Sequence, residues 1–361
     1  MRYGENGAGG TLDEGKSNMN KIPWSHFMKK KNTLSFMIVI CLLLFTCQIA
    51  YADQTPKPVS TPMPTLAPSL AVWPVLPSLT SEGYLSAEAG MEEFVHADAE
   101  NGLWIYISEG LRVEIQRFND PNIPLIWYEA DIRTKGEETL HSVPADPKRV
   151  ASIFKKPEAI ARANQIVFAI NDDQFVQRKT DKKTVGIVIR NGKIYNSTTM
   201  RSGSNAFPTL DTMALFPDGS LRVYESKEHT AQEYIDMGAK DVFAFGPVLI
   251  RDGIISERLS ELFVDSIQPR SGFGMADKNH YVCVVVEGRH KGTGGASFLW
   301  LANRLHMLGA TQALNLDGGN TSAIVFMGEK LNANNKAGPD ANVRSISGLI
   351  AIGESLLVPK K

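Results

Sequence analysis

From about Gly83 onward the chain is written in short apolar runs, rich in β-branched and aromatic residues and broken by turn pairs. Ile187 to Arg190 leads into Asn191-Gly192, Ala214 to Phe216 into Asp218-Gly219, and Val248 to Arg251 into Asp252-Gly253. Each pair is followed by another apolar or alternating run. Asn-Gly and Asp-Gly in that setting predict hairpins, because both residues tolerate positive φ. The sheet should therefore be largely antiparallel.

Three stretches switch to helical spacing. Pro157 suits the first turn of a helix over Glu158 to Asn164, and Thr230-Ala231-Gln232-Glu233 is a capping box. Ser297 can cap a helix with Leu301, Leu305 and Leu308 on one face, stopping at Gly309. No internal repeat is present. The expectation is an α+β domain of α/β type over residues 81–361: a mixed, largely antiparallel sheet with packed helices, forming a single domain.

The N-terminal region carries an address. Lys29, Lys30 and Lys31 precede sixteen mostly apolar residues, Leu34 to Ile49, and Ala50-Tyr51-Ala52 then places small residues where a signal peptidase cuts. Residues 1–52 are read as an N-terminal extension and signal peptide, with Met28 the expected start. An uncleaved anchor is the rival reading, but the run is shorter than the roughly 20 residues that span a bilayer. A lipoprotein is disfavoured by Thr46 before Cys47. Residues 53–80 hold seven prolines and seven Ser or Thr, too little apolar surface to fold, and predict a semi-rigid spacer.

Charge and cysteine content then narrow the class. Lys and Arg number 38 against 39 Asp and Glu, so no basic excess exists to bind a polyanion, and nucleic acid is not an expected partner. Cleavage after Ala52 removes six basic and three acidic residues, leaving 32 against 36 and a charge of -4. With Cys41 and Cys47 in the leader, Cys283 is left alone, so no disulfide framework is possible. The expected location is secreted or bacterial cell envelope, with a fold that depends on its core. A membrane enters only through an uncleaved signal.

Chemistry concentrates in two segments. In Ala313-Leu314-Asn315-Leu316-Asp317-Gly318-Gly319-Asn320-Thr321-Ser322, an apolar strand ends at a carboxylate followed by two glycines, an amide and hydroxyls. Such a turn lets backbone approach a ligand closely and can bind sugar hydroxyls or orient a water; the plain alternative is a hairpin with a solvated Asp. In Val284-Val285-Val286-Glu287-Gly288-Arg289-His290-Lys291-Gly292-Thr293-Gly294-Gly295, a strand passes through a carboxylate into a basic glycine-rich loop ahead of the Ser297 helix, a setting suited to an anion. The plain alternative there is a charged surface loop. No Gly-Lys-Ser/Thr ending marks a nucleotide P-loop, no Gly-x-Ser-x-Gly a serine esterase, and no His-Glu-x-x-His a zinc site. No metal and no cofactor are expected. Asp172 with Asp173 could hold a hard cation, although adjacent carboxylates more often cap a turn.

Together with Gln268-Pro269-Arg270-Ser271-Gly272-Phe273-Gly274, Ala169-Ile170-Asn171-Asp172-Asp173-Gln174-Phe175 and Phe245-Gly246-Pro247-Val248, these segments resemble the phosphodiester glycosidase family over roughly Asn164 to Gly353. The resemblance implies hydrolysis of a sugar-1-phosphodiester on an α/β fold with a mixed or antiparallel sheet. It departs at Asn320 and Thr321, where the family commonly has Gly and Ser. Glu287 replaces a common Asp, and Asp172-Asp173-Gln174 stands where Gly and an aromatic often follow Asn171.

Cleavage at an anomeric carbon builds oxocarbenium character and calls for a nearby carboxylate, while a departing phosphate needs electrostatic support more than protonation. Asp317 and Glu287 are the candidate catalytic carboxylates, and Arg270 and Arg289 the candidate phosphate ligands. His290, Asn171, Asp172, Gly246, Gly294, Asn315, Gly318, Gly319, Asn320 and Thr321 complete the expected substrate site. The expected partner is a phosphodiester-linked glycan of a wall polymer, capsule or glycan. The alternatives are an inactive carbohydrate or wall-binding module of the same fold, and a metal-dependent phosphodiesterase that cuts P–O.

Overall fold

A computed structural model describes residues 73–120, 122–173, 185–198, 210–261, 266–334 and 344–360, all within one compact unit, Leu66–Lys361. The expected signal peptide, most of the spacer, and Gln174-Phe175 lie outside the described residues. Strands and helices are numbered in chain order.

The largest sheet opens with a meander of β1 (Phe94–Asp98), β2 (Leu103–Ile107), β3 (Leu111–Asp120) and β4 (Leu125–Thr134). It continues through β15 (His280–Val286), β14 (Arg270–Asp277), β16 (Gln312–Leu316), β12 (Val248–Arg251) and β13 (Ile254–Ile255). A second sheet has the order β10 (Leu221–Tyr224), β9 (Asp211–Leu215), β11 (Asp241–Phe245), β7 (Val188–Arg190), β8 (Lys193–Asn196). A third has the order β18 (Glu329–Lys330), β17 (Ile324–Phe326), β6 (Ile166–Asn171), β19 (Gly348–Glu354), β5 (His141–Pro144). The strand pairings within these sheets are antiparallel. All three turn pairs join hairpins: β7 to β8, β9 to β10 and β12 to β13.

The three expected helices are present. α1 (Pro157–Ala163) has proline at its first turn, and α2 (Ala231–Asp236) makes both bonds of its capping box. α4 (Phe298–Met307) is capped by the Ser297 side chain, which accepts from the Trp300 N–H. A short α3 (Arg258–Glu261) was not foreseen.

The reason β15 reads as an unbroken apolar run is that both its faces are covered. Tyr281, Cys283 and Val285 join the inner core with residues of the other two sheets, such as Phe168 and Phe243. Val282, Val284 and Val286 pack under α4 against Leu301 and Leu305. Each such valine contributes about 1.5–3 kcal/mol by leaving water. Cys283 is fully buried, and burial pushes its thiol far up, leaving it unreactive. Under α4, Arg304 donates from Nε to Glu129 Oε1 at 2.7 Å, and Trp127 Nε1 reaches the same oxygen at 2.7 Å. That satisfied ion pair fixes how the helix sits on the sheet.

At one edge of the stack the C-terminal ends of β6, β15 and β16 meet the N-terminal starts of β14, β17 and β19. Chain reversals there bring residues far apart in sequence onto one rim.

Candidate active site

Asn171 ends β6 with no exposure to solvent. Its Nδ2 donates to the carbonyls of Asp317 (2.8 Å) and Asp172 (3.2 Å), and its Oδ1 accepts from Ser271 Oγ (2.8 Å) and Ala323 N (3.0 Å). Both N–H groups and both lone pairs are spent on protein. Asn171 is therefore scaffold for the rim rather than a surface offered to a ligand.

Asp317 lies buried one residue beyond β16. Continuing the ladder Ser271↔Leu316 by one pair sets it opposite Arg270. The two glycines that follow are required by close approach: a Cβ on Gly318 would lie 2.7 Å from Pro269 O. One on Gly319, whose φ is 62°, would lie 3.1 Å from the Arg289 guanidinium. Behind the turn stands a rack of amides. Asn332 Nδ2 donates to Ser322 O (3.0 Å) and Asn334 Oδ1 (2.8 Å), and Asn334 Nδ2 donates to Ser322 O (2.6 Å) and Asn320 O (3.5 Å). Thr321 is buried and accepts from Arg344 Nη1 at 2.9 Å.

The two arginines differ. Arg289 is exposed, and its backbone sits in the left-handed region at φ 64°, unusual for a residue with a side chain. Its Nε and Nη2 donate to Gln268 Oε1 (2.8 and 2.6 Å) and its Nη1 to Asn320 Oδ1 (3.4 Å). These partners are neutral amides, so no carboxylate among the described residues compensates its charge. Arg270 is buried, stacked 3.7 Å from the Phe298 ring centroid, and donates to Ala296 O (3.1 Å) and Ser266 O (2.6 Å). It braces the entry to α4.

Glu287 is buried and holds His290: Oε2 lies 2.9 Å from His290 Nε2, while Oε1 accepts from Tyr128 Oη (3.2 Å) and Ala333 N (2.6 Å). Burial, and then the Glu287 charge, push the Tyr128 phenol far up, so it stays a donor. Gly294 packs its carbonyl against Gly288, where a Cβ would be 2.7 Å away. Farther along β16, Asn315 Nδ2 donates to Gly246 O at 2.8 Å, tying β16 to the segment before β12. Asp172 and Asp173 face a guanidinium: Arg190 Nη2 lies 3.7 Å from Asp172 and 2.9 Å from Asp173, its plane over the Phe243 ring. Among the described residues no group of three or more His, Cys, Asp or Glu is placed to hold a metal.

The rim thus unites Asp317, Gly318, Gly319, Asn320 and Thr321 with Arg289, and ties them through Asn171 and Asn334 to β6 and to the Glu287 loop. Gly246 and Asn315 form a separate joint, and Asp172 turns to Arg190. Sequence reasoning did not assign Gln268, Tyr128, Arg190, Asn332, Asn334 or Arg344. Asn332-Ala333-Asn334 carries a weak signal, two amides at strand spacing just after a strand.

Residues 164–352 match the family model of the phosphodiester glycosidases. The chain belongs to that family. Among solved structures it is similar to the phosphodiester glycosidase described as the zebrafish N-acetylglucosamine-1-phosphodiester alpha-N-acetylglucosaminidase catalytic domain auto-inhibited by its pro-peptide. The identity is 16%, the TM-score 0.53, and the match covers 73% of this chain and 89% of that one. A hypothetical protein from Synechocystis aligns at 15% identity and TM-score 0.50, covering 69% of this chain and 63% of that one. At such identities these likenesses establish the fold. The SPbeta prophage-derived uncharacterized protein YomE of Bacillus subtilis (strain 168) is 25% identical over 176 residues, 48% of this chain and 26% of the relative. The chain thus spans about a quarter of that relative's length.

Proposed function

We propose that this phosphodiester glycosidase is exported and cleaves the bond between the anomeric carbon and the phosphate oxygen of a sugar-1-phosphodiester in a wall polymer, capsule or glycan. One observation carries the reading: Arg289, a cation held among the described residues by amide oxygens, lies against the Gly-Gly turn that follows Asp317. A guanidinium whose charge is not already neutralised is free to meet the phosphodiester, and bidentate contact would fix it beside the carboxylate. Asp317 then activates the water or stabilises the oxocarbenium ion. The glycine pair lets the sugar approach the backbone.

The test is hydrolysis of a panel of sugar-1-phosphodiesters, beginning with the methyl diester of N-acetylglucosamine 1-phosphate, in ¹⁸O-labelled water. Label in the released sugar supports this reaction. Label in phosphate would mean P–O cleavage, and intact substrate throughout would favour a binding module. Export is tested by N-terminal sequencing of secreted material, which should begin near Asp53.

A further inference from the structure

The carboxylate of Glu287 has little room for a sugar. It is buried, and its two oxygens already meet three donors from three parts of the chain: Tyr128 of β4, Ala333 after β18, and His290 of its own loop. A carboxylate so occupied orients the group it holds, the third-member role in a nucleophile–base–orienter array. His290 is what it holds. Among the described residues the ring's other nitrogen, Nδ1, meets the neighbouring Lys291 carbonyl at 3.2 Å. Both partners are acceptors, so each ring nitrogen faces an oxygen that can receive a hydrogen bond.

The loop is fixed. His290 and Thr293 exchange main-chain hydrogen bonds (3.4 and 3.2 Å), Thr293 Oγ1 donates to Glu287 O (3.2 Å), and Ile126 N donates to Thr293 Oγ1 (3.3 Å). The residue before His290 is Arg289, which reaches Asn320 in the Asp317 turn. The proposed phosphate ligand and a carboxylate-held imidazole are thus consecutive on one pinned loop.

Resting on the function proposed above, we infer that His290 donates a proton to the departing phosphate and that Glu287 is its positioning residue rather than a carboxylate for the sugar. The step balances. Asp317 takes a proton from water, the water oxygen bonds to the anomeric carbon, and the C–O electron pair leaves on the phosphate oxygen. That oxygen receives the Nδ1 proton; Asp317 then releases its proton to solvent and the ring regains one, which returns both groups to their starting state. The proton adds to the electrostatic support from Arg289 rather than replacing it, and imidazole is the side chain most often used for such a transfer. Among the described residues, Glu287 meets the ring and Tyr128 of β4, itself influenced by Arg117 of β3, meets Glu287, while Arg289 and Lys291 are the charged neighbours in sequence.

The experiment compares wild type, His290→Gln, His290→Gly and Glu287→Gln on the methyl diester of N-acetylglucosamine 1-phosphate across pH, with thermal melts alongside. The expected result is a basic limb in the wild-type kcat profile that His290→Gln abolishes, with kcat lowered roughly 10²-fold. Added imidazole should restore part of the His290→Gly activity, which a merely structural role would not allow. Glu287→Gln should lower kcat with little change in KM. In parallel, ¹⁵N-histidine spectra of the wild type should show the Nδ1 signal of His290 moving when methyl phosphate is added. An unchanged pH profile in His290→Gln with wild-type turnover overturns the assignment and leaves the glycosidase reading standing. A wild type that neither cleaves the diester nor shifts its Nδ1 signal overturns both.

Discussion

The side-chain amide of Asn171 donates to the main-chain carbonyl of Asp317 at 2.8 Å across 146 residues of chain. This bond helps set the height of the carboxylate over the rim, since Asp317 stands just beyond the last residue of β16.

Replacing Asn171 by Ala should therefore act on both stability and activity. It strands the carbonyls of Asp317 and Asp172, the Ala323 N–H and the Ser271 hydroxyl in a buried site. At about 1–3 kcal/mol per unsatisfied buried group, the expected loss is at least about 3 kcal/mol, read as a lowered midpoint in urea unfolding. Turnover should fall even at temperatures where the variant stays folded.

Asp317→Asn keeps the shape of the turn and removes the charge. Turnover should drop roughly 10²-fold or more while the melt stays close to wild type. Arg289→Ala should instead raise KM as well as lower kcat, because contacts to phosphate exist in both the ground and transition states. Steady-state kinetics on both variants checks this. A near-normal rate in Asp317→Asn would make that residue part of the turn alone and favour the binding module.

Turnover should survive EDTA. The functional reading assigns charge neutralisation to Arg289, and Asp172 and Asp173 already face Arg190. Activity lost on chelation and regained with a divalent ion would shift the reaction to metal-assisted P–O cleavage.

The pattern of the chain disclosed its hairpins and helix caps because those signals are local: Asn191-Gly192 or Thr230 with Glu233 needs only a few neighbours. The Asp317 turn was legible for the same reason, its carboxylate and glycines lying side by side. What stayed hidden depends on pairing across the fold. Nothing near Gln268 announces that it will receive Arg289, and nothing near Tyr128 that it will meet Glu287. Asn171 was legible as part of the site, but its role as clamp emerges only when β6, β14 and β16 end at the same rim.

Acid should weaken one of those local signals in a measurable way. The Asp218 carboxylate is drawn down to about 2, first by the Ser220 hydroxyl at 2.6 Å and then by the Ser220 N–H at 3.0 Å. Because it is lower in the folded chain than in the unfolded one, where about 3.9 applies, the carboxylate stabilises the fold above that unfolded value. The contribution is lost as pH falls through about 2. The group is exposed, so the effect stays below about 1 kcal/mol. Asp218→Asn should melt slightly below wild type in neutral buffer, and the gap should close in strong acid.

The meander β1 to β4 can pair as it leaves the ribosome, each strand beside the one before it. β6 cannot. Its two neighbours, β17 and β19, are the third-last and last strands described, so Ile170 waits for Ile324 and Asn171 for Leu349. Pairing over such separations is slow and leaves apolar edges open while the chain is incomplete. The rim is thus among the last parts of the molecule to close. A nascent or clipped chain that stops short of β19 holds Asp317 in its sequence while β6, the strand that carries its clamp Asn171, still lacks one of its two neighbours.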